Sequence, residues 1–66
     1  MDIYYVNRNA QSGGEHEVHK IGCSWMPENP MPLGYCVDCW DALRKARVIF
    51  QHVDGCGHCC EQCHKE

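Results

Sequence analysis

The sequence of 66 residues lacks a long apolar run. No apolar stretch in it approaches the length of roughly 18 residues that a membrane-spanning helix needs. It also lacks an excess of basic residues, and the formal net charge is −3 with histidine neutral. No general positive field therefore draws the chain to nucleic acid or to anionic lipid. Its start, Met-Asp-Ile-Tyr-Tyr, has neither the basic nor the apolar segment of a signal peptide. We expect a cytoplasmic protein without a membrane or nucleic-acid partner, whose thiols stay reduced.

The chain is also too short to build a large apolar core. We interpret residues 1–66 as a single mini-domain that buries roughly 60% of the surface of its unfolded chain, which makes it marginally stable. Ordering the backbone costs about 1–2 kcal/mol per residue, and hydrophobic burial nearly cancels against that cost. Seven cysteines and five histidines offer the missing stabilisation. The odd number of cysteines, without an export signal, favours a metal ion over a disulfide framework. A structural zinc site supplies about 10–16 kcal/mol in small finger peptides.

Strands and turns are predicted in the first half of the chain. Residues 3–6, Ile-Tyr-Tyr-Val, are aromatic and β-branched, as strands prefer. Residues 15–19 suit a second strand, and the polar segment between the two ends in Gly13-Gly14, which is typical of a hairpin turn. Residues 26–32 contain three prolines, so we expect a stiff loop there, followed by a short third strand at residues 33–36.

A helix from residue 39 to residue 51 is the most regular element of the sequence. Its apolar positions recur with helical spacing and define one buried face: Cys39, Ala42, Leu43, Ala46, Ile49 and Phe50. Asp38 is placed to cap its first turn. Residues 52–55 are expected to break the chain, and the last residues to form a second short helix. The predicted fold class is α+β: a small zinc-stapled domain with an N-terminal β-hairpin, a short strand, one amphipathic helix and a Cys-rich C-terminal knuckle.

Cys56-x2-Cys59 is the strongest local indication of a metal site. Two thiolates three residues apart reach one tetrahedral ion, and Gly57 lets the backbone turn its amides toward the sulfurs. The alternative is a redox pair of the thioredoxin type, which needs a βαβ context for which 66 residues leave no room. We therefore interpret the pair as half of a metal site.

His19-x3-Cys23 offers the second half, with Gly22 inside the turn, so that both side chains can reach one ion. Along an alternating strand, Glu17 and His19 share a face. Glu17 can therefore accept a hydrogen bond from the ring nitrogen that does not bind the metal.

The fourth ligand position has competitors near the chain's end. Cys63 and His64 follow the knuckle directly, although ligands along one helix face cannot surround a tetrahedral ion. Cys60 is left unassigned. The candidate metal ligands are His19, Cys23, Cys56, Cys59 and Cys63, for one Zn²⁺ ion.

A rival site would pair Cys36-x2-Cys39 with Cys56-x2-Cys59. The 16 residues between the pairs match the spacing of a four-cysteine zinc site. A helix from residue 39 to residue 51 would carry the chain about 18 Å away, at 1.5 Å per residue. The five steps back to Cys56 span at most ~17 Å. We therefore expect the pairs to stay apart and Cys39 to be a small core residue.

Residues 18–59 carry a series of motifs that together form a recognisable outline. In chain order these are Val18-His19-x3-Cys23, a proline-rich loop, Leu33-Gly34-Tyr35, a helix with Ala42 and Ala46, and Cys56-x2-Cys59. This outline resembles the Ada-type metal-binding domain, the zinc module at the front of the Ada DNA-repair protein. The whole chain is also similar to a group of small bacterial Cys/His-rich proteins, a likeness that implies no particular function.

The Ada resemblance implies one zinc ion on a small α/β scaffold, held by His19, Cys23, Cys56 and Cys59. In Ada, the first cysteine of that set also accepts a methyl group from damaged DNA phosphate. Here that position is His19, and an imidazole does not replace a thiolate nucleophile. The resemblance therefore extends to the metal site and not to the repair activity.

We expect a non-enzymatic zinc-binding module, monomeric, with a structural site and an unknown protein partner. The first alternative is a metal sensor, a metal carrier or a reactive zinc–thiolate site. The spare ligands favour it: Cys60, Cys63 and His64. The second is a nucleic-acid-binding finger that uses the basic cluster at residues 44–47, whose binding would fall steeply with salt.

Overall fold

The computed structural model describes residues 1–65, which form a four-stranded sheet with one helix packed against a face of it. The elements are β1 (Asp2–Asn7), β2 (His16–Lys20), β3 (Pro30–Cys36), α1 (Cys39–Arg47), β4 (Val53–Gly55) and a 3₁₀ turn (Glu61–Cys63). The strand order is β3-β1-β2-β4, with β1 antiparallel to β2 and β3, and β4 parallel to β2. The predicted α+β class is confirmed. None of the helices within residues 1–65 has the length and apolar character needed to cross a membrane.

The predicted N-terminal hairpin is present. Val6 lies opposite Val18 across β1 and β2, and both side chains are fully buried. At the turn, Gly14 has a φ of +92°, a conformation that a side chain would strain. The Gly14 N–H donates to the carbonyl of Gln11 at 2.7 Å. The hairpin thus presents its apolar side chains to the helix.

Strand β3 is longer than expected, because it begins at Pro30 rather than at Leu33. Two prolines assigned to a loop therefore lie in a strand. The sheet order explains this, since β3 is an edge strand and an edge tolerates the missing proline N–H. Of the predicted loop, only residues 26–29 lie outside the strand.

The start of α1 agrees with the prediction. The helix begins at Cys39, and the Asp38 side chain accepts a hydrogen bond from the Asp41 N–H at 2.9 Å. The Asp41 carboxylate in turn accepts from the Val37 N–H at 3.0 Å. The first bond satisfies an amide that the first helical turn would otherwise leave unpaired, and the second ties the residue before the cap to the helix.

The predicted end of α1 was wrong, because the helix stops at Arg47 and not at residue 51. The N–H groups of Val48 and Ile49 donate to carbonyls three residues back, which tightens the final turn. Val48 is 84% exposed and Ile49 is 48% exposed, so the expected buried face does not extend that far. Phe50 turns back and stacks on the His16 ring, with centroids 3.8 Å apart.

The core lies between the sheet and α1. Its buried members from the sheet and the helix are Tyr4, Val6, Val18, Ala42, Leu43 and Ala46. Four cysteines complete the same cluster: Cys36, Cys39, Cys60 and Cys63. Four of the ten buried residues in this cluster are thus cysteines, which serve here as small apolar groups.

Strand β4 replaces a predicted chain break. Its three residues pair in parallel with β2, with Val53 beside His16 and Gly55 beside Val18. The pairing continues past the strand, since the Cys56 N–H donates to the carbonyl of Val18 at 2.9 Å. A strand of three residues is too short to show a periodic pattern. Its effect is to bring Cys56 beside the end of β2.

A disulfide joins Cys39 to Cys63, with the Cα atoms 6.4 Å apart, whereas we expected reduced thiols throughout. The other five cysteines are free. Helix α1 has nine residues and is therefore only about 13 Å long, at 1.5 Å per residue. The chain beyond it is long enough for the 3₁₀ turn to return to the start of the helix. Cys39 is indeed a buried core residue, but its sulfur is bonded.

Candidate metal centre

Four side chains from two distant parts of the chain meet at the end of β2: His19, Cys23, Cys56 and Cys59. Their ligand atoms all lie within 4.8 Å of one another. The Cys23 and Cys56 sulfurs are 3.9 Å apart, and the Cys59 sulfur is 4.0 Å from His19 Nδ1. Metal–sulfur bonds of about 2.3 Å at tetrahedral angles place two sulfurs about 3.8 Å apart. The separation of the Cys23 and Cys56 sulfurs therefore matches one tetrahedral ion, whereas Cys59 and His19 must approach each other by about half an ångström.

Two tight turns carry these ligands. In the first, residues 19–23, Gly22 has a φ of +85° and the Cys23 N–H donates to the Lys20 carbonyl at 3.1 Å. In the second, residues 56–59 and the next amide, the Cys60 N–H donates to the Cys56 carbonyl at 2.9 Å. The parallel pairing of β4 with β2 holds the two turns side by side.

Each of the three ligand sulfurs accepts one backbone N–H. The donors are Trp25 to Cys23 at 3.3 Å, His58 to Cys56 at 3.4 Å, and Lys20 to Cys59 at 3.2 Å. In the first two cases the donor lies two residues after the acceptor, so the two turns share this hydrogen bond. Amide donors stabilise the negative charge of a thiolate, which is the form that binds a metal.

His19 is held as a neutral ligand with a defined orientation. Its Nδ1 faces the sulfurs, while its Nε2 lies 3.5 Å from a carboxylate oxygen of Glu17. The side chain is buried, and burial lowers the pKa of the imidazole, so the ring is uncharged at neutral pH. Burial also raises the pKa of the Glu17 carboxyl. The arrangement is the carboxylate–histidine pair that commonly supports metal ligands, and strand alternation had allowed it.

The Cys59 thiol must lose a proton before its sulfur can bind a metal. Burial raises the pKa of this thiol well above the ordinary value. In the metal-free protein it is therefore a neutral thiol, and ion binding must displace its proton.

The rings of Trp25 and His58 stack beside the centre, with centroids 4.6 Å apart and planes 8° from parallel. Trp25 is 61% exposed, and the two rings border a cleft of about 450 Å³ that reaches His19 and Cys56. Sequence reasoning missed this stack. The available signal was the equal spacing, since each aromatic ring follows a ligand cysteine by two residues.

The structure places the other predicted ligands elsewhere. Cys63 does not join the centre, because its sulfur is bonded to Cys39. The Nδ1 of His64 lies 2.8 Å from the Gly55 carbonyl and 3.2 Å from the Asp54 carboxylate. Cys60, left unassigned from the sequence, is buried with its sulfur 3.9 Å from that of Cys59, outside the four-atom group.

Comparison with known proteins adds no relative to these observations. No protein family, curated protein or solved structure matches this chain. The likeness to the Ada-type domain therefore stays a prediction from the motifs of residues 18–59. The chain's chemistry follows from its own geometry: three sulfurs and one imidazole nitrogen positioned to hold a metal ion.

Proposed function

We propose that this chain is a non-enzymatic zinc-binding module whose ion fastens the C-terminal segment to the sheet. The observation that carries the proposal is the convergence of four ligand atoms, from His19, Cys23, Cys56 and Cys59, within 4.8 Å. The module then offers a stable surface to a protein partner.

The donor set favours zinc. Three soft sulfurs and one imidazole, arranged for tetrahedral binding, form one of the common structural zinc sites. Three thiolates and a neutral imidazole around Zn²⁺ leave a net charge of −1 on the centre. The three amide donors to sulfur offset that charge within a partly buried site.

A structural role follows from what the ion would connect. His19 and Cys23 belong to the hairpin side of the sheet, whereas Cys56 and Cys59 begin the C-terminal segment. Zinc binding of about 10–16 kcal/mol is as large as the whole stability of a typical small domain, about 5–15 kcal/mol. Four protein ligands also close the coordination shell, which suits structure rather than catalysis.

Native mass spectrometry of the zinc-loaded protein, with its disulfide intact, tests the proposal. We expect one zinc ion per chain, and Cys56→Ser should lose it. The matched control is Cys36→Ser, which removes another buried free thiol outside the centre and should keep the ion.

Chelation tests the structural role in the same preparation. Removing zinc should abolish cooperative thermal unfolding or lower the melting temperature by tens of degrees, followed by circular dichroism. A chain that binds no zinc, or whose unfolding is unchanged by the chelator, would contradict the proposal.

A reactive zinc–thiolate site is the second candidate, favoured by the partial exposure of Cys23 and Cys59 and by the cleft that reaches Cys56. In that case a thiolate attacks a methyl donor, forming a sulfur–carbon bond while the leaving group departs with its electron pair. Peptide mass mapping after exposure to methyl methanesulfonate would show one methylated cysteine. An inert module would show none while zinc remains bound.

A further inference from the structure

The four cysteines outside the metal centre form two further Cys-x2-Cys pairs. Cys36-x2-Cys39 ends β3 and begins α1, and Cys60-x2-Cys63 spans the 3₁₀ turn. Twenty residues, 40–59, separate them, a spacing typical of four-cysteine zinc sites. The rival pairing of Cys36-x2-Cys39 with Cys56-x2-Cys59, which we expected not to form, is absent from the described residues, because Cys56 and Cys59 lie with His19 and Cys23.

The fold has already brought these two pairs together. All four residues are at most 2% exposed and belong to the same core cluster beneath α1. The second cysteines of the two pairs, Cys39 and Cys63, form the disulfide, with Cα atoms 6.4 Å apart. Within the second pair, the Cys63 N–H donates to the Cys60 carbonyl at 2.9 Å and closes the turn.

The two free thiols, Cys36 and Cys60, share the core cluster with the bonded pair and are not part of the ligand group around His19. The Cys36 thiol donates to the Gly34 carbonyl at 3.6 Å, and the Cys60 sulfur is 3.9 Å from that of Cys59. With the disulfide intact, only two thiols of the four can bind a metal, and two ligands do not close a tetrahedral site. Among residues 1–65, the His19 centre is accordingly the one ligand group assembled in this oxidised chain.

We propose that reduction of the Cys39–Cys63 disulfide converts Cys36, Cys39, Cys60 and Cys63 into a second, four-cysteine site for a tetrahedral zinc ion. A dithiol reductant supplies two electrons and two protons to the sulfur–sulfur bond and is itself oxidised to a disulfide. Zinc binding then releases four thiol protons and leaves a complex of charge −2. Cys39 is the first residue of α1, where the positive end of the helix dipole favours a thiolate.

The redox state of these cysteines therefore decides how α1 is connected to the C-terminal segment. The oxidised chain links α1 to the C-terminal segment by a covalent bond and carries one zinc ion. The reduced chain links the same elements through a metal ion and carries two. All seven cysteines thereby have a role, three in the first centre and four in the second.

Native mass spectrometry of the full chain in excess zinc, before and after dithiothreitol treatment and anaerobic desalting, tests the inference. We expect one ion before reduction and two after it. The double variant Cys36→Ser/Cys60→Ser leaves two thiols in the second set and should hold one ion in both states. Its oxidised form, with one ion and the disulfide retained, shows that the variant folds.

A complementary variant separates this inference from the proposed function. Cys56→Ser/Cys59→Ser removes half of the first centre, and its reduced form should still hold one ion. Cobalt substitution gives an independent reading, because four thiolates produce stronger sulfur-to-cobalt charge-transfer absorption than three. A reduced wild-type chain that holds one ion or none overturns the inference, as does a Cys36→Ser/Cys60→Ser variant that holds two.

Discussion

The indole of Trp25 lies parallel to the imidazole of His58, with ring centroids 4.6 Å apart. Each residue also donates its backbone N–H to the ligand sulfur two positions earlier, Trp25 to Cys23 and His58 to Cys56. The stack therefore joins the two turns that carry the candidate ligands. It should form only when both turns are closed around an ion.

Removal of the metal should separate these rings, and NMR can follow it. In the zinc-loaded protein, the indole current should shift the ring protons of His58 away from their free-histidine positions. After chelation we expect those resonances to return to the free positions. The control is Trp25→Leu, which should abolish the shift while zinc stays bound. His58 resonances that do not respond to chelation would show that the stack is independent of the metal.

Glu17 should strengthen metal binding without touching the ion. Its carboxylate lies 3.5 Å from His19 Nε2 and holds the ring so that Nδ1 faces the sulfurs. Loss of such an outer carboxylate typically weakens metal affinity by about 10–100-fold. We expect Glu17→Gln to show this loss in competition with a chromophoric chelator. Glu28→Gln, an exposed carboxylate, is the matched control. Equal affinities for the two variants would contradict the role assigned to Glu17.

The core under α1 should be sensitive to the loss of a few methylene groups. Leu43 is 2% exposed and packs against the sheet, so Leu43→Ala should lower the free energy of unfolding by about 2–5 kcal/mol. Val48, in the same segment, is 84% exposed, and Val48→Ala should change stability by less than about 0.5 kcal/mol. Chemical denaturation of the zinc-loaded proteins compares them. A similar loss in both variants would mean that the core does not lie where the structure places it.

His64 should make a pH-dependent contribution to stability. Its bond to the Gly55 carbonyl, and then the carboxylate of Asp54, raise the pKa of the imidazole above its ordinary 6.5. Because the folded pKa is raised, the stabilisation is complete below the ordinary value and is lost as pH rises through the folded one. The ring is partly exposed, so solvent screens the effect.

Melting temperatures of wild type and His64→Gln measure this contribution. The wild-type advantage should be larger at about pH 6 than at about pH 9. Titration of the metal ligands is common to both proteins and cancels in the difference. An advantage that stays constant, or that grows with pH, would contradict the pairing of His64 with Asp54.

Local chemistry explains why part of the fold could be predicted. The hairpin, the Asp38 cap and the start of α1 each depend on residues within a few positions of one another. Their patterns are therefore complete within a short stretch of sequence. The length of α1 was overestimated because Ile49 and Phe50 continue the helical spacing of apolar residues, although Ile49 is 48% exposed and Phe50 stacks on His16 beyond the end of the helix.

The edge position of β3 and the existence of β4 depend on neighbours that are distant in sequence. Pro30 is acceptable in β3 only because no strand pairs with its outer edge in residues 1–65. Val53–Gly55 is a strand only because β2 is beside it. Neither fact leaves a periodic signal in the segment concerned.

The sequence by itself determined the local halves of the chain's chemistry: His19 with Cys23, Cys56 with Cys59, and Gly22, whose φ of +85° lets the first turn close. Such halves are set by spacings of three or four residues, which a single turn of backbone satisfies. Only the tertiary structure decided which halves meet. Parallel pairing of β4 with β2 brings Cys56 to His19, and the early end of α1 lets the chain return to bond Cys63 to Cys39. Those contacts depend on the path of the whole chain between the pairs, and no local spacing contains that information.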